Sequence, residues 1–234
     1  LNCHSASMMR FNRLQDIGLT DEQISGSLQF TEGRVGDLMK VAMRHEDGKA
    51  WFGAAPPDLS VEARARASES GSGADWIYTY LRSYYRDGSR ETGWNNAIFP
   101  NVGMPNPLWQ WQGVRGAVEE RVAPVTDEAT GKVTGWTKTT ITYDREGNKS
   151  EKVEKVSGDG LHEGSHFTLG TPEGGTLSHA EFDDKVANLV AFMKFMSDPS
   201  ASTRGRLGIW VLLFIALFVG CTWWLNREYW KDIK

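Results

Sequence analysis

Cys3 and His4 stand side by side and form the trailing half of a C-x-x-C-H pattern. That pattern attaches c-type haem: two thiols add to vinyl groups of the macrocycle, and the adjacent imidazole becomes an axial ligand of the iron. Adjacency matters because the thioether bonds pin the ring directly beneath the metal. The first cysteine of the pattern would lie just before Leu1, so the sequence is expected to continue upstream. A Cys-His pair alone is as compatible with an inert buried pair. The chemistry needs a second ligand and a segment to present it.

Asn101-Val-Gly-Met-Pro-Asn-Pro107 offers both. Pro105 biases Met104 toward an extended backbone, Gly103 permits close backbone approach, and neither suits a regular helix. A loop of this kind presents a thioether sulfur to a flat cofactor, which makes Met104 the candidate distal ligand. The other methionines read as packing. Met193 and Met196 fall on the apolar face of a helix, Met39 and Met43 have helical spacing, and Met8 and Met9 are too near His4 to cross to the opposite side.

A competing pattern is His162-Glu163-Gly164-Ser165-His166, which matches the zinc-protease signature H-E-x-x-H. That chemistry needs both imidazoles on one face of a helix. Gly158, Gly160, Gly164 and Gly170 surround the pattern, and so many glycines disfavour a helix there. His45 and His179 read as surface or capping residues. No phosphate-cradling glycine loop and no serine nucleophile elbow occurs in the sequence.

Elements must hold these residues in place. Gly-Ala-Ala-Pro-Pro-Asp-Leu-Ser, residues 53–60, is a rigid turn in which Pro56 and Pro57 fix φ and Asp58 or Ser60 can cap a helix. Trp76, Ile77, Tyr80, Leu81 and Tyr84 recur at three- and four-residue intervals and predict a helix over 75–85. Residues 94–113 are rich in Pro, Gly and Asn and read as an irregular strap. Residues 133–143 and 150–156 alternate around Arg145–Asn148, the pattern of a hairpin within 131–156. Ser178 and Glu181 form a capping box that opens a helix, with Phe182, Val186, Leu189, Val190, Phe192, Met193 and Met196 on its apolar face and Asp198-Pro199 at its end. Residues 5–45 read as loops with short helices.

The chain has 234 residues, 26 Lys+Arg against 30 Asp+Glu, and 2 Cys. Two cysteines exclude a disulfide framework and a four-thiolate zinc or iron–sulfur site. A net charge of −4 argues against nucleic-acid binding, which needs a concentrated basic face. From Leu207 to Leu225 there are 19 residues without a charge, flanked by Arg204 and Arg206 before and by Arg227, Lys231 and Lys234 after. A helix of that length spans roughly 28 Å, close to the hydrocarbon thickness of a bilayer. Trp210 sits near one interface; Trp223, Trp224, Tyr229 and Trp230 form an aromatic belt at the other. The organisation expected is a domain over 1–203 and an anchor over 204–234. With 5 basic and 2 acidic residues in the anchor segment, the remaining 21 basic and 28 acidic leave the domain at −7. The three basic residues that follow the span, against two before it, favour a cytoplasmic or matrix C-terminus.

Taken in order, Cys3-His4, Ala55-Pro56-Pro57-Asp58-Leu59-Ser60, Gly103-Met104-Pro105, a helix and one C-terminal anchor resemble the cytochrome c1 family over essentially the whole chain. The resemblance implies a mostly α, cytochrome c-like haem domain with an inserted β-hairpin and a C-terminal transmembrane helix. It implies one haem c, attached covalently at Cys3, with His4 and Met104 as axial ligands. It also implies that an arginine after the Pro-Pro-Asp-Leu-Ser run, Arg66 in preference to Arg64, neutralises a haem propionate. A soft thioether opposite an imidazole favours Fe(II), raising the reduction potential, and two protein ligands leave no open position for substrate. The family role is electron transfer within ubiquinol–cytochrome c reductase, from the Rieske iron–sulfur protein to soluble cytochrome c, beside cytochrome b in a dimeric complex. The chain is then an oxidoreductase only as a subunit, with its haem domain on the periplasmic or intermembrane side and an acidic face that steers a basic partner. The rival readings are a free-standing membrane-anchored cytochrome c and a haem-free tail-anchored binding module.

Overall fold

The computed structural model describes residues 2–30, 32–126, 132–157 and 161–232. Leu1, Gly158, Gly160, Lys234 and the first residue of the 131–156 hairpin span, all used above, lie outside the described residues.

Strand β1 (Ala6–Arg10) follows the Cys3-His4 pair and leads through a 3-10 turn, Phe11–Ile17, to helix α1 (Asp21–Ser27). Thr20 and Gln23 make a reciprocal capping box at the start of α1. The two-residue strand β2 (Leu38–Met39) pairs back on β1, with Ala6 opposite Met39. Met39 is therefore a buried core residue, as its packing role required, but it sits in a strand. Helix α2 (His45–Phe52) ends at Gly53, whose φ of +76° only glycine adopts freely, and the Pro-Pro turn follows at once. Asp58 caps a 3-10 turn over Leu59–Val61, and α3 (Glu62–Ala65) continues from it.

Helix α4 (Gly73–Arg82) opens on Ser72, whose side chain accepts from Asp75 N–H. It stops earlier than its apolar periodicity predicts. Tyr84 and Tyr85 belong instead to β3 (Tyr84–Arg86), which pairs antiparallel with β4 (Trp94–Asn96). The ladder hydrogen bonds and the burial of both tyrosines outweigh another half-turn of helix. Of residues 94–113, expected to be an irregular strap, 97–108 are irregular, while the start is β4 and the end holds the short helix α5 (Trp109–Gln112).

The hairpin is part of something larger. Strands β5 (Ala117–Thr126), β6 (Val133–Tyr143), β7 (Lys149–Val156) and β8 (Gly164–Leu169) form one antiparallel sheet in the order β7-β6-β5-β8. Helix covers 42% and strand 24%, so the mostly α expectation holds in part: helix predominates, and beside it stands a four-stranded sheet of which the expected hairpin is half. Pro124 is tolerated within β5 because β8 pairs with it only as far as Val122, so no donor is required on that side. Tyr85, Ala117, Ile141 and Tyr143 make a small core that joins this sheet to β3.

Helix α6 (His179–Ser197) carries the capping box at Ser178 and Glu181 and buries Phe182, Val186, Val190, Met193 and Met196. Leu189, placed on that face by periodicity, points outward and is 40% exposed. α6 packs across α3 and α4, and Arg82 clamps Asp183 with two bonds of 2.6 Å. The main core runs from Ala6, Met9 and Ile24 through Ile77 and Leu81 to these α6 residues. Helix α7 (Ala201–Tyr229) then leaves the core altogether. Its stretch Thr203–Tyr229 is 27 residues, and the most apolar 18-residue window within it has a mean hydropathy of 2.1 and is not buried, so it is long and apolar enough to cross a membrane.

Candidate functional site

His4 is held by the Pro-Pro turn. Its Nδ1 donates to the Pro57 carbonyl at 2.8 Å, a contact between residues 53 positions apart. A ring whose Nδ1–H is occupied this way has its tautomer and orientation set, and Nε2 keeps its lone pair for a metal. The residues that follow it are pinned to the same turn. Leu59 N–H donates to the Ser5 carbonyl at 2.7 Å, Ser7 N–H to Asp58 Oδ2 at 2.9 Å and Met8 N–H to Ser60 Oγ at 3.0 Å. On its other side the segment is tied by Val41 N–H, which donates to Ser5 Oγ at 3.0 Å. Cys3, half-buried and unpaired among the described residues, immediately precedes this fixed stretch.

Asp58 is the centre of that lattice. Partial burial acts to raise its pKa, but hydrogen bonds from Ser60 and Ser7 outweigh it and hold the carboxyl at about 2. Because the folded-state value lies below the ordinary 3.8, the contribution of Asp58 to stability is complete above 3.8 and is lost as pH falls through about 2. We expect Asp58→Asn to destabilise the domain at neutral pH and to flatten this part of the acid limb. Urea unfolding followed by circular dichroism between pH 5 and about 2 measures it. Parallel wild-type and variant profiles would show that the turn does not depend on this carboxylate.

Met104 lies half-buried in the strap and packs against the main core together with Leu59. Its neighbour Gly103 is pressed on α2: a Cβ there would come within 2.6 Å of the Phe52 carbonyl oxygen. The segment from Phe52 to Pro57 therefore holds His4 at one end and abuts Gly103, the residue before Met104, at the other. Sequence reading proposed the two residues separately; the short proline turn between them is what relates them.

Of the two arginines, Arg64 is exposed and Arg66 is not. The Arg66 guanidinium bonds Glu62 at 2.6 Å and lies 4.5 Å from the centroid of the Trp76 ring. Trp76 stacks on Tyr80 at 5.1 Å, and Tyr80 reaches Tyr84, whose hydroxyl donates to the Met104 carbonyl. An aromatic path thus leads from Arg66 to the strap. Neither tyrosine contact was visible in the sequence, where both residues read only as the apolar stripe of a helix.

The zinc-protease pattern is not assembled. His166 stands in β8 and His162 in the irregular run before it, so no helical turn brings the imidazoles together. Among the described residues no three His, Cys, Asp or Glu side chains form a metal-binding group. His45 and His179 are exposed, at the first positions of α2 and α6.

The donor set suits a haem. It comprises an imidazole whose Nε2 has no hydrogen-bond partner among the described residues, a thiol directly before it, a thioether on the strap beside Gly103, and the partly exposed guanidinium of Arg66. This is the equipment of a haem-bearing electron carrier. Comparison with known proteins agrees. The chain matches the model of the Cytochrome C1 family over residues 1–115, the stretch that contains Cys3, His4, Arg66 and Met104. It is 35% identical to cytochrome c1 of Allochromatium vinosum over 99% of this chain and 78% of that protein. It is 26% identical to cytochrome c1 of Blastochloris viridis over 78% of this chain and 51% of that one. A protein of Nitrosomonas europaea named ammonia monooxygenase gamma subunit is 39% identical over the whole chain and 78% of its own length. The chain belongs to the cytochrome c1 family, respiratory electron-transfer haem proteins of the cytochrome bc1 oxidoreductase complex.

Proposed function

We propose that this chain is the haem-bearing subunit of a quinol–cytochrome c reductase and passes single electrons from the Rieske iron–sulfur protein to a soluble cytochrome c. The observation that carries the reading is the Pro57 carbonyl at 2.8 Å from His4 Nδ1, on a segment whose other end abuts Gly103 beside Met104. One covalently bound haem c would supply a reversible one-electron couple. Cys3 would tether it, His4 Nε2 and the Met104 sulfur would ligate the iron, and Arg66 would offset a propionate. The Pro-Pro turn orients the imidazole, and the hydrogen bond to Pro57 raises its basicity. The thioether biases the site toward the reduced state, and the core beneath Leu59 and Met104 excludes water from that side.

Residues 1–203 form the electron-transfer domain and 204–234 the anchor, with the domain on the periplasmic or intermembrane face, a single membrane crossing, and cytochrome b alongside in a dimeric complex. The charge of −7 on the domain steers a basic acceptor. A second reading takes its observation from the Nitrosomonas relative: the same carrier would serve an ammonia-oxidising enzyme.

One preparation tests both. The protein is solubilised in mild detergent from its own membranes and its reduced-minus-oxidised spectrum recorded before and after acid–acetone extraction. We expect a c-type spectrum whose haem stays with the polypeptide, co-purification with cytochrome b and the Rieske protein, and reduction by added quinol. Haem released into the solvent would defeat the covalent assignment. Co-purification with ammonia-oxidising polypeptides, without quinol reduction, would favour the second reading.

A further inference from the structure

The strap that carries Met104 is tied at both ends. Asn101 N–H donates to Asn95 Oδ1 at 2.9 Å, and Arg90 donates to the Asn101 carbonyl and side-chain oxygen at 3.1 and 3.2 Å. At the far end Asn106 Nδ2 donates to Gln112 at 2.7 Å. Between Val102 and Pro105, among the described residues, a single hydrogen bond reaches the strap, from the Tyr84 hydroxyl to the Met104 carbonyl at 3.3 Å. Tyr84 is fully buried.

Counting protons gives the direction of the network. The Tyr84 hydroxyl also lies 2.6 Å from the Tyr80 hydroxyl. A phenol has one proton to donate. With the proton of Tyr84 directed to Met104, the short contact requires Tyr80 to donate to Tyr84. Tyr80 is itself fixed, by its stack on Trp76 and by Asn96 Nδ2, which donates to its carbonyl at 2.7 Å.

We propose that Tyr84, oriented by Tyr80, is a positioning residue that holds the Met104 peptide and so keeps the thioether in place for the iron. The inference rests on the reading of Met104 as an axial ligand. Its physical basis is the residue before Met104. Gly103 lets the following peptide plane turn with little steric resistance, and Pro105 has no N–H with which to anchor it. A donor on the Met104 carbonyl is the restraint the local backbone lacks, and a chain of two hydroxyls polarises and strengthens it.

The test uses the full-length haem-loaded protein in detergent, with Tyr84→Phe, Tyr80→Phe and, as a control for burial alone, Tyr85→Phe. Tyr85 is equally buried but packs on Tyr143 and Phe167 in the sheet. The probe is imidazole added to the ferric protein, which binds where methionine has let go, read with the sulfur-to-iron charge-transfer band at the red end of the spectrum. We expect Tyr84→Phe to bind imidazole about five- to tenfold more tightly, the scale of one net hydrogen bond. Tyr80→Phe should shift in the same direction by less, and Tyr85→Phe not at all. A Tyr84→Phe protein that titrates like wild type, in a background where Met104→Leu has lost the band, overturns the inference and leaves the ligand reading standing. A Met104→Leu protein that keeps the band overturns the ligand reading, and this inference with it.

Discussion

Met104→Leu should lower the reduction potential by on the order of hundreds of millivolts while leaving the haem attached and the domain folded. Leucine is close to methionine in volume, so the half-buried site should lose less than about 1.5 kcal/mol of packing. On the proposed ligation, what disappears is the soft sixth ligand and its preference for Fe(II). For a one-electron couple roughly 59 mV is already tenfold in the equilibrium constant, so forward transfer from an iron–sulfur donor should collapse. The proposed attachment at Cys3 and the lock between His4 and Pro57 lie on the other segment and are untouched. Redox titration of the membrane-bound protein, with the ferric sulfur band recorded in the same cuvette, measures the effect. A variant that keeps both the band and a near-normal potential shows that another residue ligates the iron.

Gly103→Ala should do comparable damage without removing any ligand. The new Cβ would stand 2.6 Å from the Phe52 carbonyl oxygen. A tolerable carbon–oxygen approach is roughly 3.3 Å or more, so one backbone must retreat. Phe52 is the last residue of α2 and is followed by Gly53 in a left-handed conformation and then by the Pro-Pro turn, so that side is stiff. The strap moves instead, and Met104 with it. Overpacking of this kind costs about 1–3 kcal/mol, and a displacement approaching about 1 Å is enough to uncouple a preorganised ligand. We expect a ferric population lacking the sulfur band and a potential shifted toward that of Met104→Leu. An unchanged band and potential would show that the segment from Phe52 to Pro57 does not set the position of the strap.

Both experiments bear on residues chosen from the sequence, and the reason they could be chosen there is chemical. Cys3-His4, Pro56-Pro57-Asp58 and Gly103-Met104-Pro105 are local patterns whose backbone restrictions are intrinsic to proline and glycine. The apolar span of α7 is legible for a similar reason: its length and hydropathy belong to the segment itself and do not depend on what the rest of the chain does. The capping box of α6 and the hairpin of β6 and β7 are likewise set by neighbours within a few residues.

The rest depended on partners distant in sequence. β5 escaped the alternation test because Glu119, 3% exposed, occupies an inward position and is made tolerable by Arg121 two residues on. A buried charge at an apolar register position breaks the pattern that announces a strand, and only the paired guanidinium restores its energetics. β8 was hidden among glycines and a misleading His-Glu motif until it paired with β5, Ala117 opposite Leu169. Tyr84 carried a helical periodicity but is claimed by β4, where its burial and ladder bonds are worth more than continued helix. Residue types and their short-range spacing therefore determined which groups this protein has for chemistry and that it is built to be anchored. Tertiary structure decided how those groups meet: the Pro57 carbonyl on His4, Phe52 against Gly103 and the Tyr84 hydroxyl on Met104 are contacts between chain segments 20 to 53 residues apart, which only the closing of the core around them brings within reach.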